Sequence, residues 1–211
     1  MGPRTMTQEE RSQKSRAQIL DAALALFSRQ GYRATSMREI ADRAGVSTGN
    51  VYHHFKDKEA IFLGLLDVYW QAIEDPGFPV NRALTTGSFP ENLEAIGLAA
   101  RESVAQYRPY VTLIYVDVVE FEGSHIRKFY SEMAGRFERF IAAHRDEIKI
   151  EGKLRPGIQP ASAVMFAFRT FLQHFAVELI FGVPDHYGKS TDEAVSEIAG
   201  IMRHGMLKPT A

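Results

Sequence analysis

Between Thr35 and Lys58 the chain reads TSMREIADRAGVSTGNVYHHFKDK, and no other stretch constrains the fold as tightly. It holds two helix-start signals with one glycine between them. Ser36-Met37-Arg38-Glu39 has capping-box form: the Ser36 hydroxyl can accept the third backbone N–H while Glu39 reaches back to the cap. A short helix follows, with Met37, Ile40, Ala41 and Ala44 on one face. Gly45 ends it in a turn that needs a positive φ. Ser47 can cap a second short helix over about Thr48 to His54. Ala41 must be small where the second helix crosses the first, and Val51 packs that helix back on its predecessors. This spacing predicts a helix-turn-helix, a device that delivers a short helix into the major groove.

The second helix exposes Thr48, Gly49, Asn50, Tyr52 and His53. Thr48 and Asn50 can hydrogen-bond base edges or phosphates. Gly49 allows close approach to a backbone, and Tyr52 and His53 carry donors for phosphate oxygens. Lys58 and the start of its helix add a charge and backbone donors, a phosphate clamp. Thr35, Ser36, Arg38 and Ser47, at the two helix starts, complete the candidate DNA-binding set, with Arg43 as a further phosphate contact. A polar helix face standing alone is usually just a solvated one; the register of the whole stretch favours contact.

Apolar periodicity predicts helix almost throughout. A first helix runs from about Lys14 to Gln30, with Ile19, Ala23, Leu26 and Phe27 on one face; the polar segment before it reads as frayed. A fourth helix runs from Asp57 to about Glu74. Residues 75–90, with three prolines and two glycines, read as the main loop. Five more helices are expected near Glu91–Tyr107, Pro109–Glu122, Ser124–Ile150, Pro160–Phe181 and Ser190–Leu207. Pro109 separates two of them, Pro160 suits a first turn, and Ser190–Glu193 forms another capping box. The β-branched run Val111–Val119 is read as buried helix. The fold class is therefore all-α: an N-terminal three-helix helix-turn-helix domain followed by a larger C-terminal helical bundle, about nine helices in total. The domain boundary is placed at residue 60, giving 1–60 and 61–211.

Residues 14–62 resemble the DNA-binding domain of the TetR family of transcriptional repressors. The first helix with its LF and GY, the capped TSM helix, the AGVS turn, YHHF and the DKEAIF opening of helix four all stand in register. The resemblance implies a homodimer that binds a palindromic double-stranded DNA operator through two recognition helices. It also implies release by a small-molecule effector held in residues 61–211, and a dimer interface built by the last two helices.

Composition agrees and narrows the alternatives. The chain of 211 residues has a net charge of −1, but residues 1–60 hold ten Lys and Arg against seven Asp and Glu, while the remainder holds 15 against 19. A basic head on an acidic body points to a polyanion at one end. Arg4, Arg11, Lys14 and Arg16 could form an accessory DNA arm. The absence of cysteine excludes disulfides and thiolate zinc sites. No window supplies a bilayer span, and no leader-like apolar segment opens the chain, so no membrane association and a cytoplasmic location are expected. No catalytic motif of known spacing is present and no cofactor is expected. An enzyme is the least favoured reading, behind a helical protein-binding module with a vestigial DNA-binding head.

Polar groups and aromatics set in the helices after residue 60 are the candidate effector contacts: Trp70, Tyr107, Tyr110, Asp117, Phe121, Phe168, Arg169, Phe171, His174 and Glu178. Core packing would use the same residue types. His174 and Glu178, four apart on one helix, are not read as a metal site. Phe175, Leu179, Ala194, Ile198, Ile201 and Met202 are the candidate dimer-interface residues, the last four forming a continuous stripe. Abundant aromatics favour an apolar or amphipathic effector.

Overall fold

The structure is a computed structural model, which describes residues 6–150 and 152–207. Among these residues it holds eleven helices and no strand: α1 (Gln8–Gln30), α2 (Met37–Ala44), α3 (Thr48–His54), α4 (Lys58–Glu74), α5 (Pro79–Thr85), α6 (Leu93–Gln106), α7 (Arg108–Phe121), α8 (Ile126–Ala143), α9 (Arg145–Ile148), α10 (Pro160–Leu179) and α11 (Thr191–Met206). The all-α class holds, with two short helices beyond the nine anticipated. One is α5, inside the segment read as loop: Pro79 supplies the fixed φ of a first turn. The other is α9, set off from α8 at His144.

α1 starts earlier than its apolar stripe. Thr7 accepts the Glu10 N–H and Glu10 returns to the Thr7 N–H, a complete capping box ahead of a polar first turn. Arg4 lies outside the described residues. The Ser36 and Ser190 boxes form as their sequences predict. Gly45 adopts the left-handed conformation, φ 69°, that ends α2.

The chain divides into two compact units. The first comprises residues 1–71 and 109–126; the second comprises 72–108 and 127–211. In the first, α1, α2 and α3 pack on one another. Their core is Ile19, Ala23, Phe27, Ile40, Ala41 and Val51, joined by Phe55, Ile61, Phe62 and Leu65 of the segment leading into and along α4. Leu113 of α7 and Ile126 belong to the same core. α7 is helical throughout the β-branched run, but Val118 and Val119 are exposed rather than buried.

In the second unit α6 packs against α10, α5 and α11. Gly97 is the closest point: a Cβ there would stand 2.8 Å from both Phe171 and Val195. Phe89, Leu93, Ile96, Val104, Phe171 and Phe175 fill the centre with Ile198 and Met202.

The predicted dimer stripe is largely consumed here. Phe175, Ala194, Ile198 and Met202 are all buried within their own subunit, because α11 turns that face onto α6 and α10. Only Ile201, 67% exposed, and the half-buried Leu179 retain outward surface.

Candidate nucleic-acid interface

α3 is held by burying one side and capping its start. Ala41 and Val51 are both fully buried where α2 and α3 meet. Ser47 accepts the Asn50 N–H at 3.2 Å, so its hydroxyl serves the helix start. With Val51 turned inward, Tyr52 is 54% exposed and His53 is exposed beside it. Gly49 is exposed, with the Ser47 hydroxyl 3.9 Å from where a Cβ would stand, and Thr48 and Asn50 are half-buried. The structure thus brings Thr48, Gly49, Asn50, Tyr52 and His53 together on one short helix.

Local sequence reading does not reach a contact from α1. Ser15 Oγ lies 2.7 Å from Asn50 Oδ1, and the bond orients the Asn50 amide so that its NH₂ remains to donate. Arg16 stacks its guanidinium over the Phe55 ring at 5.0 Å. Only periodicity places Ser15 one turn before Ile19, on a face shared with α3. His54 titrates below the ordinary histidine value because of burial, then the neighbouring His53 and Arg16.

The remaining DNA candidates are placed differently. Thr35 is buried and its hydroxyl donates to the Gly31 carbonyl at 2.8 Å, so its side chain serves the turn. Ser36 is exposed and shared with Glu39, while Arg38 is exposed 3.9 Å from Asp42. Lys58, the expected phosphate clamp, is engaged within its own unit. Its ammonium donates to the Tyr32 and Thr35 carbonyls, 2.7 Å each, and lies over the Tyr32 ring. Burial depresses its pKa, with Glu120 and Glu39 acting in the opposite direction. A charge so engaged positions the turn.

The effector candidates fall in both units. In the first, Trp70 and Tyr110 flank Tyr69, and Phe121 packs on Tyr32 and Phe62. Asp117 is fully buried, its carboxylate 2.6 Å from His125 Nδ1 and accepting the Ile126 N–H. Asp117 is therefore satisfied by its own unit. In the second, Phe171 is wholly buried core, Phe168 packs on Phe137, and Tyr107 packs on Phe78. Arg169 is exposed near Tyr130, and Glu178 accepts from Arg101 at 3.2 Å. His174 is 6% exposed with Nδ1 unpartnered, its ring against His186 and Tyr187. Among the described residues no three metal-ligating side chains converge, and no helix is long and apolar enough to cross a membrane.

Comparison with known proteins agrees with this arrangement. Residues 19–65 match the model for bacterial regulatory proteins of the tetR family. The HTH-type transcriptional regulator AcrR of Shigella flexneri is 42% identical over 83 residues, 35% of this chain and 38% of that one. The HTH-type transcriptional repressor KstR2 of Mycobacterium tuberculosis is 31% identical over 131 residues, 59% of this chain and 60% of that one. The chain thus spans less than two thirds of the length of either. Its Rhodococcus jostii counterpart is 26% identical over 92% of both chains. A TetR-family regulator structure from Mesorhizobium loti shares the fold at a TM-score of 0.67, with 24% identity over 94% of this chain and 99% of that one. Residues 19–65 thus carry the helix-turn-helix of bacterial regulatory proteins of the tetR family, and the helical architecture as a whole is shared with a solved TetR-family regulator.

Proposed function

We propose that the protein is a ligand-responsive transcriptional repressor that binds a palindromic operator as a homodimer and leaves it when a small apolar or amphipathic effector binds. The observation that carries this reading is α3: Val51 buried beneath, Tyr52 and His53 exposed above, and a capped start at Ser47. A helix so mounted suits the major groove, with Thr48 and Asn50 near base edges and Tyr52 and His53 near phosphate. Relatives named as transcriptional repressors favour repression over activation.

The division of labour is proposed as DNA binding over 1–60 and effector binding and dimerisation over 61–211. Dimer contact is assigned to the outer sides of α10 and α11, where Phe166 and Ile201 are exposed, with Leu179 at the edge. Effector contact is assigned first to His174, whose buried ring nitrogen has no hydrogen-bond partner. The effector must favour the conformer whose recognition helices no longer match successive grooves, otherwise it shifts nothing.

Selection from a random duplex pool with the full chain tests the reading. Enrichment of an inverted repeat with half-sites about 34 Å apart is expected. A chain that enriches no sequence overturns it.

A further inference from the structure

Glu120 stands in the last turn of α7, far along the chain from the helix-turn-helix, yet its carboxylate sits on that motif's entry turn. Its oxygens accept the Tyr32 N–H at 2.9 Å and the Arg33 N–H at 2.7 Å. The Arg33 guanidinium donates to the Glu120 carbonyl at 3.3 Å. The Glu120 side chain is 14% exposed, whereas that of Arg33 is 79% exposed, and of the two backbone bonds the one from Tyr32 is part-buried and the one from Arg33 lies at the surface. Gly31, φ 86°, leaves the carboxylate its place: a Cβ there would lie 2.6 Å from Oε1 and would make it shift.

The same turn is gripped from its other side. Lys58 donates to the Tyr32 and Thr35 carbonyls. Residue 32 therefore gives its N–H to an anion and its carbonyl to a cation. Charge-assisted bonds of this kind are stronger than neutral ones. The turn ends at Ser36, the N-cap of α2, and α2 carries the Ala41 on which α3 is seated. Neither Glu120 nor Asp117, the other α7 carboxylate in this unit, lies within residues 19–65.

We infer that Glu120 is a positioning residue for DNA recognition: from α7 it fixes the Gly31–Thr35 turn and, through it, the seating of α2 and α3. The inference rests on the DNA-binding reading proposed above. On this account the helix-turn-helix depends on a side chain from outside its own sequence motif. Lys58 is the opposing half of the same clamp.

The test compares full-length wild type, Glu120→Gln and Glu120→Asp on two fluorescent duplexes of equal length. One is a duplex enriched by the wild type from a random pool; the other is of arbitrary sequence. Amide hydrogen exchange over residues 31–36 and thermal unfolding are measured beside the titrations. Glu120→Gln keeps the size but turns an NH₂ toward one of two donors. It should weaken binding to the selected duplex about tenfold and change arbitrary-duplex binding by no more than about twofold. Exchange at Tyr32 and Arg33 should accelerate. Glu120→Asp retains the charge and should recover part of the selectivity; it also carries the comparison if Glu120→Gln does not fold. Wild-type selectivity in Glu120→Gln overturns the inference, as does an equal loss on both duplexes that merely follows a lower unfolding temperature. A wild-type chain that enriches no duplex overturns the DNA-binding reading itself, an outcome distinct from either of these.

Discussion

Tyr52 and His174 mark the two kinds of residue on which the account depends, one outward and one inward. Tyr52 makes no contribution to the buried core, so its hydroxyl and ring are available to a partner. Tyr52→Ala should weaken binding to a selected duplex about tenfold, with helicity and oligomeric state unchanged; anisotropy titration beside circular dichroism checks it, and unchanged affinity contradicts the assigned contact. His174 is the reverse case. Burial first, and the nearby His186 second, hold its pKa below the ordinary histidine value, with Glu178 pulling the other way. Between that ordinary value, about 6.5, and its lower folded value the unfolded chain binds more protons, so native stability falls as the solution is acidified through that window. The urea midpoint should therefore drop from about pH 7.5 to about pH 5.5, and His174→Gln should flatten that drop. Flattening will be partial because His54 is shifted in the same direction. Equal pH dependence in both proteins would contradict the assignment.

At the scale of elements, close approach decides what can vary. Gly97 lets α6 touch the Phe171 ring and Val195 at once. Gly97→Ala should lower stability by about 1–3 kcal/mol through overpacking, read from denaturant unfolding, while leaving α1–α3 in place. A neutral or stabilising effect would mean that α6 can shift away. The same comparison shows where sequence reasoning succeeds. The caps at Ser36, Ser47 and Ser190 and the Gly45 turn are decided within a few residues, so they are legible locally. The Thr7 box obeys the same rule, but no apolar stripe stands beside it to mark the helix. The Ala194–Met202 stripe is legible as apolar but not as to its partner: α6 and α10 within the subunit claim it, and periodicity cannot distinguish that from a second chain. Lys58 looks like a surface charge in sequence because its acceptors, the Tyr32 and Thr35 carbonyls, are backbone atoms. Glu120 is illegible for the same reason at longer range.

For the whole molecule, the charge asymmetry matters more than the net charge of −1. A basic head that neutralises several phosphates releases as many counterions, so affinity for duplex should fall steeply with salt. Titrations across a salt series read this directly, and a flat response contradicts phosphate contact by the first 60 residues. The proposed dimer bears on the same measurements, since two recognition helices would read a site that one cannot. Ile201→Glu places a charge on an exposed apolar position of α11. It should shift sedimentation toward the monomer and lower operator affinity together; a dimer that persists would move the interface elsewhere. The central claim, that α3 reads DNA from the major groove, is tested most directly by methylation interference on a selected duplex. Guanine N7 lies in that groove, so methylation there should block binding in two tracts about one helical turn apart. Binding indifferent to N7 methylation throughout the site would contradict it.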